Sequence, residues 1–329
     1  MKTKLLIIFT VFLAPLCVQY SFAETKVGII LPMSGDFARY GDKVRQGLES
    51  QSFPPGVKLI YEDEGCHPKT ATTAYHKLRS ADGIHLFIGP WCGSPQTVVA
   101  NLMKRSDAVS ILGSSAPRRV FELSGGRMFA VQHSIEEESA FNARESFSLG
   151  ARKVVIVFLE NDFSRAHEAA FREHFKGEVL ETLTYSTPDP SALRALVTKV
   201  KQLGPDTLYV PDAFPLMHGL LRNLSALGLG KLRVLSVYSA QSDDVLSAVG
   251  TAGEGLFLSY PLIEEEALLY FPKLAAQVLN AGLSNCPSSE SACVIQAMRS
   301  QFKFDEYGVL GGELGLKIIK DGKFTWYQR

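Results

Sequence analysis

Apolar positions along this chain recur in short continuous runs, and amphipathic stretches separate them. The runs Lys26–Leu31, Lys58–Glu62, Ile84–Ile88 and Val109–Leu112 read as strands. Near-continuous apolar strands are the mark of sheets buried on both faces. Between them, Gly41–Gln51, Lys69–Ser80 and Thr97–Arg105 carry apolar residues at helical spacing. After Met128–Val131 a second set begins, with strands at Lys153–Phe158, Val179–Leu183, Thr207–Val210, Val234–Val237 and Gly255–Ser259. Its helices are expected at Ser164–Phe175, Ala192–Leu203 and Leu216–Leu227. Strand–helix alternation implies parallel sheets with helices on both faces, and two such sets imply two α/β lobes of similar build. Gly150 and Gly204-Pro205 mark helix-to-strand turns. The tail differs: Glu313–Tyr327 reads as a hairpin around the Asp321-Gly322 turn. Ser284–Ser291 is the most loop-like stretch.

The first residues change the picture of compartment. Lys2 and Lys4 precede an apolar run from Leu5 to Leu16, and Ser21-Phe22-Ala23 follows. That is the layout of a secretory signal peptide cleaved after Ala23, and the run is short for a membrane span. Ala14-Pro15-Leu16 before Cys17 is a poor match to a lipidation site. Removing 23 of 329 residues leaves 306, a length that suits two domains. The leader takes two lysines from 34 basic and 34 acidic residues, leaving a net charge of 32 − 34, or −2. Nothing in that balance favours nucleic acid or an anionic membrane. Four cysteines remain: Cys66, Cys92, Cys286 and Cys293. Four allow three pairings, of which pairing by neighbourhood is the simplest; export makes disulfides the expected state.

Loops at the carboxyl ends of the early strands are rich in small and aromatic residues, and in an open parallel sheet ligands bind there. The opening VGIILPMSGDFARYGDKVRQGLE is similar to the first strand, ligand loop and helix of the type I periplasmic solute-binding proteins, leucine/isoleucine/valine-binding group, which serve ABC importers. FIGPWCGSPQTVVANLMKRSDAVSILGSSA resembles that family's third and fourth strands. PDTLYVPDAFPLMHGLLRNLSALGL and the segment ending GEGLFLSYP resemble its second lobe. The likeness covers most of residues 26–261. It implies two Rossmann-like lobes joined by three crossover strands, near Val131–Ser134, Tyr260–Leu262 and Phe302–Asp305, with the ligand between them. Lobe 1 would then be residues 24–132 plus 262–302, and lobe 2 residues 133–261 plus 303–329. The family's first-lobe disulfide has nearly the spacing of Cys66–Cys92. The segment after the second crossing is shorter than the family's, so lobe 1 is expected to be trimmed.

In amino-acid binders of this kind, first-lobe hydroxyls and backbone groups grip the carboxylate, and a second-lobe acid meets the ammonium. Here the Cys-Ser step becomes Cys92-Gly93-Ser94, and the small-residue loop is Gly113-Ser114-Ser115-Ala116-Pro117. Tyr238 stands where the acid is expected, and an unpaired buried ammonium is costly. Asp162, Asp212 and Asp243 are the acids able to take over. Tyr40, Trp91, Phe163 and Phe214 fall at the remaining pocket positions. The expected ligand is therefore an uncharged or singly charged organic molecule, aromatic or amide-like, rather than a simple zwitterionic amino acid.

Other chemistries find weaker support. His67 and His76 lack the close companions a metal site needs and read as surface residues. Gly113-Ser114-Ser115 lacks the closing glycine of a nucleophile elbow, and there is no phosphate loop. The acidic runs Glu136–Glu138 and Glu264–Glu266 read as solvated helix starts. No cofactor and no metal are expected, and the partners expected are a small ligand and an inner-membrane permease, with the chain itself a monomer in the periplasm. The alternative to transport is a ligand sensor or envelope regulator on the same fold; an envelope enzyme ranks last.

Overall fold

The structure is a computed structural model that describes residues 24–186, 189–212, 216–286 and 289–328. The expected leader, residues 1–23, and Phe214 lie outside the described residues.

The first set of elements is β1 (Thr25–Leu31), α1 (Ala38–Glu49), β2 (Val57–Asp63), α2 (Pro68–His76), β3 (Leu86–Ile88), α3 (Gly93–Met103), β4 (Val109–Leu112), α4 (Arg118–Ser124) and β5 (Met128–Ala130). Its strands form one parallel sheet in the order β2-β1-β3-β4-β5. The second set is α5 (Ile135–Ser148), β6 (Lys153–Leu159), α6 (Asp162–His174), β7 (Glu178–Tyr185), α7 (Pro190–Leu203), β8 (Thr207–Val210), α8 (Leu216–Ala226), β9 (Arg233–Ser236), α9 (Asp243–Val249) and β10 (Leu256–Pro261). Then come α10 (Ala267–Ser284), α11 (Ser291–Gln301), β11 (Leu314–Lys320) and β12 (Lys323–Trp326). The second sheet runs β12-β11-β10-β9-β8-β6-β7. It is parallel from β10 to β7, and the β11–β12 hairpin adds antiparallel to β10.

Both sheets are covered on both faces, which is why their central strands are apolar throughout. Val27, Ile29 and Ile88 pack toward α1 and α10, while Ile30 and Phe87 pack toward α2, α3 and α4. In the second lobe, Val155 and Val157 face α7, α8 and α9, while Val154, Ile156 and Phe158 face α5 and α6. Each fully buried side chain of this kind contributes about 1.5–3 kcal/mol.

The chain passes between the sheets three times: after β5, after β10, and between α11 and β11. After β10 the chain returns to the first sheet as α10, against α1 and capped by α11. The expected trimming is therefore partial, since two helices still cover that face. α4, α5, α9, α10 and α11 go beyond the helices read from periodicity. α3 and α6 also start earlier than their patterns suggest. Gly93-Ser94-Pro95 reads as loop, but a proline in a first helical turn removes no internal hydrogen bond. Asn161 caps α6 by accepting the Ser164 N–H at 2.9 Å, which draws Asp162 and Phe163 into its first turn. These two early starts bring α3 and α6 tip to tip across the cleft.

Candidate functional site

A cavity of about 210 Å³ lies between the lobes, at the carboxyl ends of β1, β3 and β4 on one side and β6, β8 and β9 on the other. Tyr40, Trp91, Gly93, Ser94, Ser114, Ser115, Phe163 and Tyr238 all line it. Its remaining lining includes Phe37, Leu159, Asn161, Ser164, Asp212 and Leu268. The rims touch: Tyr40 Oη donates to Ser239 O at 3.3 Å, and Thr97 Oγ1 to Asp162 Oδ2 at 3.3 Å.

The first-lobe wall is held from beneath. Cys66 and Cys92 are bonded, as are Cys286 and Cys293. Glu64, fully buried, accepts the Cys92 N–H at 2.8 Å and the Trp91 N–H at 3.1 Å. Burial pushes its carboxyl up to about 8, against the pull of those two amides. Gln96 ties the next loop down, donating to Ser114 Oγ at 2.9 Å and to Trp91 O at 3.2 Å. Ser114 in turn donates to Trp91 O at 3.0 Å, so its hydroxyl is spent on the wall itself. Ser115 is the serine of that loop whose buried Oγ keeps no well-aligned partner. Gly113 leaves room for the indole: a Cβ there would lie 2.8 Å from Trp91 Cζ3. Gly93 does the same for the other lobe, since its Cβ would meet Phe163 Cβ at 3.1 Å.

The second-lobe wall rests on ionisable side chains. Glu138 is fully buried in α5, which corrects the solvated reading of its acidic run. Glu137 closes a capping box with Ser134, and Glu136 accepts the Arg118 N–H at 3.0 Å. The third glutamate faces inward because it lies one position further round the helix. Its Oε1 accepts the Tyr238 N–H at 2.9 Å and the Ser259 hydroxyl at 2.6 Å. Its Oε2 lies 3.3 Å from His133 Nε2 and 3.7 Å from His167 Nε2. Burial alone would raise this carboxyl, but His133 beside it and the Ser259 hydroxyl outweigh it and hold it below its ordinary range. Burial lowers His167 to about 4, so the imidazole is neutral. Ser139 Oγ sits 2.8 Å from its Nδ1. The pocket's aromatics stand on these rings: Phe163 packs edge-on over His167 at 4.5 Å, and Tyr238 against His133 at 5.8 Å. Burial pushes the Tyr238 phenol up to about 12.

Asp212, just past β8, is 2 % exposed. Its Oδ2 accepts the Leu159 N–H at 2.8 Å and the Tyr185 hydroxyl at 2.7 Å, and its Oδ1 the Ser164 hydroxyl at 3.1 Å. Burial pushes its carboxyl up to about 7, with those three donors opposing. Asp162 and Asp243, the other acids considered, do not line the cavity: Asp162 lies 3.5 Å from Arg119, and Asp243 is exposed at the start of α9. Glu64, Glu138 and His167 were not anticipated. Glu64 carried a faint signal, an acid two residues before a cysteine expected to be bonded.

Metal chemistry has one candidate cluster among the described residues, Glu64 with Cys66 and Cys92. Its two sulfurs are bonded to each other, which removes them as thiolate ligands. His67 and His76 are exposed, and His67 Nδ1 accepts the Lys69 N–H at 3.2 Å as the cap of α2.

A periplasmic binding protein family model matches residues 24–268. The chain belongs to the periplasmic binding protein family. Relatives that match it include the Leu/Ile/Val-binding protein of Escherichia coli (strain K12), 21% identical over 264 residues, covering 74% of this chain and 71% of that protein. An amino acid binding protein of Pseudomonas aeruginosa is 21% identical over 243 residues, covering 70% of this chain and 65% of that protein, slightly under two thirds of its length. The crystal structure of the leucine binding protein LivK from Thermotoga maritima superposes with a TM-score of 0.84 at 19% identity, covering 92% of this chain and 98% of that one. A solute binding protein of an R. palustris ABC transporter, in complex with benzoate, gives a TM-score of 0.83 at 18% identity, over 92% and 95% of the two chains. These likenesses establish the two-lobed α/β fold of this binding protein. Among the described residues no helix is long and apolar enough to cross a membrane.

Proposed function

We propose that this protein captures a small organic solute between its lobes and hands it to an ABC-type permease of the inner membrane. It is exported to the periplasm by its leader, residues 1–23, and works there as a monomer. Lobe 1 comprises residues 24–132 plus 262–302, and lobe 2 residues 133–261 plus 303–329. The lobes swing about the three crossings and close on the ligand, the usual motion of such proteins. The observation that carries this reading is the cavity itself. It is walled by Tyr40 and Trp91 from one lobe and by Phe163 and Tyr238 from the other, and it sits at the carboxyl ends of both parallel sheets. An apolar, aromatic lining with few polar groups favours a flat or apolar ligand body. The benzoate held by one structural neighbour supports an aromatic reading. Asp212 supplies a second-lobe acid that Tyr238 lacks.

Thermal unfolding of the mature protein against amino acids, amides, aromatic acids and amines is the test. A solute that binds only the folded state raises the melting temperature. Stabilisation by at least one class is expected, and none by any of them would remove the reading.

A further inference from the structure

The cavity lining is unusual in its charge. Among the described residues it holds one carboxyl group, that of Asp212, and no lysine, arginine or histidine. The imidazole beneath Phe163 carries no charge near neutrality. Arg119, at the rim, is already directed to Asp162. A carboxylate has room for about four hydrogen-bond donors. Among the described residues Asp212 receives three, two on Oδ2 and one on Oδ1. One acceptor position on Oδ1 remains, on a residue that forms part of the cavity wall. Asp212 follows β8, the strand beside the β9 that Tyr238 follows, so it offers an acid from the neighbouring position on the same second-lobe wall.

We propose that Asp212 is the specificity-determining residue of the cleft: it takes an N–H donor, so that the ligand is an amine or amide on an apolar or aromatic body. The assignment rests on the solute-binding reading above. A carboxylate placed there would have to keep Asp212 protonated, because no cation in the lining offsets either charge and burying two like charges together is strongly unfavourable. An ammonium or amide N–H instead completes the fourth position. Tyr185, Ser164 and the Leu159 N–H hold the carboxyl in place and leave it nowhere else to turn. Trp91 and Phe163 then provide faces for the ligand body.

The test uses compounds that share a body and differ at one end: benzylamine, benzamide and benzoate, with leucinamide and leucine as an aliphatic pair. Thermal shift and calorimetry are run on the mature wild type and on Asp212→Asn. The amine or amide is expected to bind at least tenfold more tightly than the carboxylate of the same body. Asp212→Asn should weaken the amine by tenfold or more. Binding of benzoate in preference to benzylamine and benzamide, unaffected by Asp212→Asn, overturns the assignment and leaves the binding function standing. Silence from all five compounds overturns the assignment alone; the binding function falls only if no class in the wider screen stabilises the protein. Should Asp212→Asn fail to fold, the carbon-13 carboxyl resonance of Asp212 in the wild type decides the matter. It should move on saturation with the tightest nitrogen compound, and an unmoved resonance contradicts the proposal.

Discussion

The two walls of the cleft are built on different principles. The first-lobe wall is a backbone cradle: a disulfide, the buried Glu64 under two amides, and Gln96 pinning the serine loop to Trp91 O. What it shows the cavity is mostly a ring and hydroxyls, whose character does not change with pH. The second-lobe wall is a layer of aromatics standing on buried acids and imidazoles. Its properties depend on which protons burial allows those groups to keep. The contrast suggests a division of labour in which one wall is rigid and general and the other selects.

Glu138→Ala should produce the largest break in that contrast. It leaves the Ser259 hydroxyl and the Tyr238 N–H without their shared acceptor and takes the carboxylate from beside His133 and His167. A buried donor left without its acceptor typically costs about 1–3 kcal/mol, and here there are two. Urea unfolding measures it, and a loss below about 1 kcal/mol, within the range of an exposed pair, would mean the second wall does not rest on this residue. Replacing Cys66 and Cys92 together by alanine comes next. The bond links residues 26 apart in sequence. Loop-closure entropy puts its contribution near ~3.5 kcal/mol, against ~2.4 kcal/mol for a loop of seven such as Cys286–Cys293 closes. The ranking of the two double variants is the informative result, and a reversed order would show that the first wall does not depend on its staple.

Within the cavity, Trp91→Ala should weaken benzamide by about tenfold or more through lost stacking and burial. Ser115→Ala should cost less, around the ~1 kcal/mol of one hydrogen bond at most. Isothermal calorimetry separates the two. An equal effect would move the first wall from general toward selective.

The smallest effects concern pH. The Asp212 carboxyl, raised to about 7 from 3.8, favours the folded state fully below pH 3.8, and that contribution is lost as pH rises through 7. His167, lowered to about 4 from 6.5, works the other way: its contribution is full above 6.5 and lost as pH falls toward 4. Asp212→Asn should therefore gain on wild type in chemical denaturation between pH 4 and 7. A difference that stays flat across that range would mean that Asp212 is not proton-linked to folding.

The architecture was largely legible before any coordinates. Apolar runs such as Val27–Leu31 and Val154–Phe158 can only be strands buried on both sides, and the glycine and proline punctuation set their order. The first wall was legible in part, from the cysteines, glycines and serines at its strand ends and from the family likeness, while Glu64 and Gln96 beneath it were not. The second wall was not. Glu138 sits beside Glu136 and Glu137, which are ordinary helix-start acids, and nothing in the run marks the third as buried. Its role depends on His133, His167 and Ser259, which only the folded topology brings together. His167 is likewise one polar position between the half-buried Ala166 and Glu168, and only its buried face with Ser164, Ala170 and Phe171 marks it as interior. The beginnings of α3 and α6 were missed because Gly93, Ser94 and Asp162 resemble loop residues until capping and packing decide otherwise.

Small-angle X-ray scattering tests the central claim most directly, that the two walls close on a ligand held between them. The mature protein is measured alone and saturated with whichever of benzylamine or benzamide stabilises it more. The account predicts a smaller radius of gyration on saturation and a bound profile that matches the closed cleft, with Gly93 against Phe163 and Tyr40 reaching Ser239. An unchanged radius at saturation would contradict it.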